Sequence, residues 1–141
     1  MKILIPVDGS PHSLNAVGYA ISLAAALSVE PQLLLLNVQR SVASGNVKRF
    51  INAGTIDEYE RELGMQALYA ARQALEAAGC AYQYHLSEGQ PAAAITKYAV
   101  EQGVTLIVIG AHGESGLGAR LLGSVVDQVL KSSELPVTVI H

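Results

Sequence analysis

Leu106-Ile107-Val108-Ile109-Gly110-Ala111-His112-Gly113, followed after nine residues by Gly123-Ser124, sets how this chain must fold. Leu106 to Ile109 is apolar on successive residues, so both faces of a strand there need cover, as in a parallel sheet. It is too short for a core helix and ends on glycine. Beyond it, Leu122, Val125, Val126, Val129 and Leu130 recur at helical spacing. The order is therefore strand, glycine-rich loop, helix. Five glycines fall within the 14 residues from Gly110 to Gly123.

Working outward, four further apolar runs suit strands: Lys2–Val7, Gln32–Val38, Ala81–Ser87 and Pro136–Ile140, beside Thr105–Gly110. In the third, Tyr82, Tyr84 and Leu86 alternate with Gln83, His85 and Ser87, so one face is expected to meet water. Helical stretches lie between them. The first has Ser10 and Pro11 as cap and first turn, with Leu14, Val17, Ile21 and Ala24 as its inner stripe. The second is expected to open at Thr55, with Glu58 completing a capping box, and to bury Ile56, Tyr59, Leu63, Ala67, Ala70 and Ala74 before Gly79. The third runs from Pro91 to Gly103 and buries Ala92, Ile95 and Ala99. The fourth starts near Gly123, and Pro136 bars its continuation. Strand and helix alternate throughout, and right-handed crossovers then give an α/β, doubly wound parallel sheet of five strands with helices on both faces. The segment Gln39–Gly54 has neither period and is long for a connection.

The 141 residues suit a single domain, 1–141, with 50% apolar and 15% charged side chains. A net charge of −3 with 9 scattered basic residues argues against a nucleic-acid surface. No run approaches the roughly 20 apolar residues that cross a bilayer, and Ile3–Val7 is too short for a signal-peptide core. A cytoplasmic protein is expected. The lone Cys80 gives no disulfide or zinc pattern.

In a doubly wound sheet, ligands sit at the carboxyl ends of the strands. Two such ends stand out: Val7-Asp8-Gly9-Ser10 and the loop from Gly110 to Ser124. Glycines let a phosphate approach the backbone, and a helix N-terminus offers unbonded N–H groups with a partial positive charge. Ser124 adds a hydroxyl, and Arg120 either screens phosphate or is merely solvated. Asp8 either caps its own turn through Ser10 or bonds the ligand's sugar or base. His112 either touches phosphate or tolerates an unusual backbone geometry. Gly118 to Ser124 has the glycine spacing of a P-loop but lacks its Lys. There is no GxSxG elbow, no receiver-type acid pair and no metal-ligand spacing.

Over essentially its full length the chain resembles the universal stress protein family. The likeness rests on Ile3-Leu4-Ile5-Pro6-Val7-Asp8-Gly9-Ser10, on Gly89-Gln90-Pro91 with Ile95 and Ala99, and on Leu106 to Gly110. Most specific is the nucleotide signature: Gly110-x-x-Gly113, nine residues, then Gly123-Ser124. The resemblance implies strand order 3-2-1-4-5 and membership of the class that keeps the signature and binds ATP. It implies ATP or another adenine nucleotide as ligand, with Mg2+ held by the phosphates. By position, Pro6, Val7 and Asp8 should line the adenosine end, and Val38 should offer backbone groups to adenine. Ile109, Gly110, His112 and Gly113 should flank ribose and phosphates, while Gly123, Ser124 and Val125 hold the phosphate chain. Two departures are Val126, where the family often has a small or hydroxyl residue, and Thr105, where Asp is common. Val126 is expected to pack in the core, and Thr105 to lie far from the ligand. The resemblance also implies a homodimer through the last strand and a regulatory, stress-response role without rapid turnover. The alternatives are a slow ATPase or autophosphorylating enzyme acting near Ser124, and a ligand-free scaffold.

Overall fold

The computed structural model describes residues 1–40, 53–113 and 121–141, with backbone alone for 53–57. Five parallel strands, β1 (Lys2–Pro6), β2 (Gln32–Gln39), β3 (Tyr82–Glu88), β4 (Leu106–Gly110) and β5 (Val137–Ile140), form one sheet in the order β3-β2-β1-β4-β5. Helices α1 (Pro11–Ala26), α2 (Ala53–Ala77), α3 (Pro91–Glu101) and α4 (Ser124–Ser132) connect them. The expected order and class hold, and each strand lies within one residue of its expected bounds.

Alternate residues of the central strands feed two cores. Ile3, Ile5, Leu33, Leu35 and Val108 pack beneath Val17 and Ala20 of α1 and Leu68 and Leu75 of α2. Leu4, Leu34, Leu36, Ile107 and Ile109 pack beneath Ile95 and Ala99 of α3 and Val126 and Val129 of α4. Double cover is why these strands read as unbroken apolar runs. The edge strand β3 is different: Gln83, Tyr84 and His85 are exposed. Its Tyr82 hydroxyl accepts from Arg72 Nε (3.1 Å) and donates to Glu76 (2.7 Å), tying it to α2.

Several helical expectations need correction. In α1, Leu14 is exposed and the inner face is Ser13, Ala16, Val17 and Ala20. Helix α2 begins at Ala53, so Thr55 lies inside the helix and not at its cap. Its buried stripe is Glu60, Gly64, Leu68, Ala71 and Leu75, one residue round from the expected one, and it leaves Tyr59 and Ala70 exposed. The two leucines bury more apolar area than the alanines they displace, which sets the rotation. Gly64 then falls against the sheet, where a Cβ would stand 2.8 Å from Leu86 Cδ2 and 3.0 Å from Asn37 Oδ1. In α4 the inner face is Val126 and Val129, with Leu122 and Leu130 largely exposed. Residues 41–52, most of the expected long connection, lie outside the described residues, as do Arg120 and the rest of 114–120.

Candidate functional site

β1 lies between β2 and β4, and the chain leaves β1 for a helix on one face of the sheet but leaves β4 for a helix on the other. A crevice of roughly 760 Å³ opens there, within the size range of small-molecule sites. All eleven residues singled out from the sequence line it: Pro6, Val7, Asp8, Val38, Ile109, Gly110, His112, Gly113, Gly123, Ser124 and Val125. A smaller concavity of 310 Å³ lies between β3 and α3, beside His85 and Tyr98 and away from the switch point.

The first wall is the turn after β1. Asp8 Oδ1 accepts from Ser10 N–H (2.9 Å), and Ser10 Oγ accepts from Ser13 N–H (3.3 Å), so the cap expected at Ser10 is present. Gly9 between them has φ +85°, a left-handed value that only glycine adopts without strain. The structural reading of Asp8 thus holds, and its carboxylate also borders the crevice.

The second wall follows β4. Ala111 N–H bonds Ile140 C=O (2.7 Å) and Gly123 N–H bonds Ala111 C=O (2.8 Å), which brings the start of α4 back beside β4. Gly110 lines the crevice, but its missing side chain has another cause. A Cβ there would stand 2.7–2.9 Å from the His12–Ser13 backbone, so glycine is what lets β4 and α1 touch. Gly113 faces Asp8 across the crevice. His112 is buried, with its ring edge-on to His12 at 5.1 Å. Among the described residues every positive φ belongs to glycine, so the unusual backbone geometry expected as one reading of His112 is absent there.

The start of α4 carries the electrostatics. Ser10 caps α1 and the Gln90 side chain caps α3, whereas the Gly123 cap of α4 supplies no side-chain bond. The first helical bond runs from Asp127 N–H to Gly123 C=O (3.0 Å), so the N–H groups of Ser124, Val125 and Val126 precede the intrahelical ladder. All three residues border the crevice, although the Val126 side chain packs in the core as expected. Together these groups can receive an anion. Among the described residues no three His, Cys, Asp or Glu side chains cluster as metal ligands. Thr105, as expected, is far from this end: its Oγ1 accepts from Lys2 N–H (3.1 Å) where β1 and β4 begin, at the opposite ends of the strands.

Sequence reasoning passed over Asn37. It is 2% exposed, donates from Nδ2 to Val7 C=O (2.8 Å) and accepts at Oδ1 from Gln39 Nε2 (2.8 Å). A lone amide within Leu33–Val38, a strand covered on both faces, was the available signal. Arg40, Leu63, Gln66 and Ala67 also line the base of the crevice.

A parallel, doubly wound sheet with an anion-receptive helix start at its switch point defines a class of α/β ligand-binding folds. Within it, residues 1–141 match the sequence model of the Universal stress protein family, and the chain belongs to that family. It is 34% identical over 143 residues to a universal stress protein of Methanocaldococcus jannaschii, covering 99% of this chain and 81% of that one. The solved structure of a second protein from that organism superposes with a TM-score of 0.80 at 29% identity, over 99% of this chain and 94% of that one. A universal stress protein solved in complex with cAMP gives 0.71 at 26% identity, over 100% and 97%. No helix among the described residues is long and apolar enough to cross a membrane.

Proposed function

We propose that the crevice binds an adenine nucleotide, with ATP as the expected ligand, and that the protein acts in the cytoplasm as a nucleotide-binding regulator in a stress response. The observation that carries this reading is the start of α4. Its N–H groups take no side-chain cap bond from Gly123, and the residues that carry them border a crevice of nucleotide size. A phosphate there would complete the helix as a capping side chain does elsewhere. The cAMP complex of a family member supports adenine as the base. On this reading Gly123, Ser124 and Val125 hold the phosphate chain, and Ile109, Gly110, His112 and Gly113 flank ribose and phosphates. Pro6, Val7 and Asp8 line the adenosine end, and Val38 meets the base. Mg2+ would be held by the phosphates of the bound nucleotide.

Slow ATP hydrolysis or autophosphorylation is the second reading, because the Ser124 hydroxyl stands at the proposed phosphate end. Titration of purified protein with ATP, AMP and cAMP, with mass analysis of any copurified ligand, tests the first reading. Absence of all binding would overturn it. Phosphate release that persists unchanged in Ser124→Ala would remove that hydroxyl from any turnover. We further propose a homodimer through the edge strand at 136–140, whose outer side has no strand neighbour among the described residues.

A further inference from the structure

The backbone of β2 alternates in the side to which it bonds. Leu36 C=O accepts from Val7 N–H (2.8 Å), toward β1, and Gln39 C=O accepts from Gly89 N–H (3.0 Å), toward the β3 side. N–H and C=O of one strand residue point to the same side and adjacent residues to opposite sides. Val38 therefore directs both groups toward β1, at the level where β1 has ended and the crevice begins. Continuing the parallel ladder by one step would pair Val38 N–H with Val7 C=O, which would close that edge.

Val7 C=O is instead met by the side chain of Asn37. That side chain reaches over the α2 face of the sheet and donates Nδ2–H to Val7 C=O (2.8 Å). A carbonyl only accepts, so the amide nitrogen must face it, and Oδ1 is left to accept from Gln39 Nε2 (2.8 Å). Asn37 is buried, and its Oδ1 lies 3.0 Å from where a Cβ on Gly64 would stand, so α2 holds the amide in place from above. We propose that Asn37 is a positioning residue: by occupying Val7 C=O it keeps Val38 N–H and C=O available as a donor–acceptor pair that selects adenine over guanine.

The inference rests on the adenine-nucleotide reading above and deepens it. Adenine presents an acceptor at N1 beside an amino donor at N6, which matches a backbone N–H beside a C=O. Guanine presents a donor at N1 and an acceptor at O6, the reverse order. Its rejection follows from leaving buried polar groups facing their like.

The test combines amide hydrogen exchange with titration of ATP and GTP. In the free wild-type protein, Val38 N–H should exchange at least about tenfold faster than Val7 N–H, and saturating ATP should slow it. In Asn37→Leu, Val38 N–H should be protected without ligand. ATP affinity should fall about tenfold, and the ATP-to-GTP affinity ratio should fall with it. The wild-type exchange comparison needs no variant, so it decides the matter even if Asn37→Leu does not fold. Equal protection of Val38 and Val7 in the free protein overturns the proposal, as does an unchanged ATP-to-GTP ratio in a folded Asn37→Leu. A wild type that binds neither nucleotide overturns the adenine-nucleotide reading itself and this inference with it.

Discussion

Asp8 and Gly113 meet across the crevice so closely that a Cβ on Gly113 would stand 2.6 Å from Asp8 Oδ2. The two walls of the site therefore touch at this point. Gly113→Ala should push the Asp8 carboxylate aside and weaken nucleotide binding by about tenfold, or ~1.4 kcal/mol. A side-chain shift at a partly exposed carboxylate should leave the melting temperature nearly unchanged. Calorimetric titration and a thermal melt of the same preparation check both halves.

Gly110→Ala should behave in the opposite way. Its Cβ would meet the backbone of His12 and Ser13, which cannot swing aside as a side chain can. Overpacking of this kind costs about 1–3 kcal/mol. Urea denaturation should show the midpoint falling without a change in slope, since the surface exposed on unfolding is the same.

Ser124→Asp separates the helix from its proposed ligand. A carboxylate in the first turn of α4 complements the helix dipole and should add about 0.3–1 kcal/mol of stability. It would also repel phosphate from the N–H groups beside it. The expected result is a melting temperature that holds or rises while ATP affinity drops by about tenfold or more. Retained ATP affinity would move the phosphates away from this helix start.

Much of this arrangement was legible in the residues, and the parts that were not have definite physical causes. Ile107-Val108-Ile109 and Leu33 to Leu36 announce strands because both faces are covered, and those strands lie where expected. The positions of Asp8 and Gly113 follow from the rule that such sheets bind ligands at their carboxyl ends. Val38 came only with the family resemblance. The rotation of α2 was not legible, because alanines at 67, 70, 71 and 74 suit either face and the choice falls to a few leucines. Gly64 and Asn37 escaped for a related reason. Their significance is the approach of α2 to β2, a contact between elements distant in sequence.

The proposed dimer has a test that spares the ladder within one chain. Pro136 C=O and Ile140 C=O accept from Ile107 and Ala111 of the β4 side, so by alternation Val137 and Val139 direct their N–H groups outward. Val139→Pro removes an outward donor and no bond to β4. Sedimentation should show twice the chain mass for the wild type and one chain mass for Val139→Pro, with little change in far-ultraviolet circular dichroism. A wild type that sediments as one chain would dispose of the dimer.

The central place of β1 has a consequence for synthesis. This first strand pairs with β2 on one side and β4 on the other, and 103 residues separate Lys2 from its partner Thr105. As the chain leaves the ribosome, β1, β2 and β3 can assemble while the other edge of β1 still waits for β4. During that interval the nascent half-sheet presents a bare, aliphatic edge to whatever is near. Closure of such distant pairs is slow, so the window stays open until β4 has been made. The newborn protein's need for a chaperone should be greatest then.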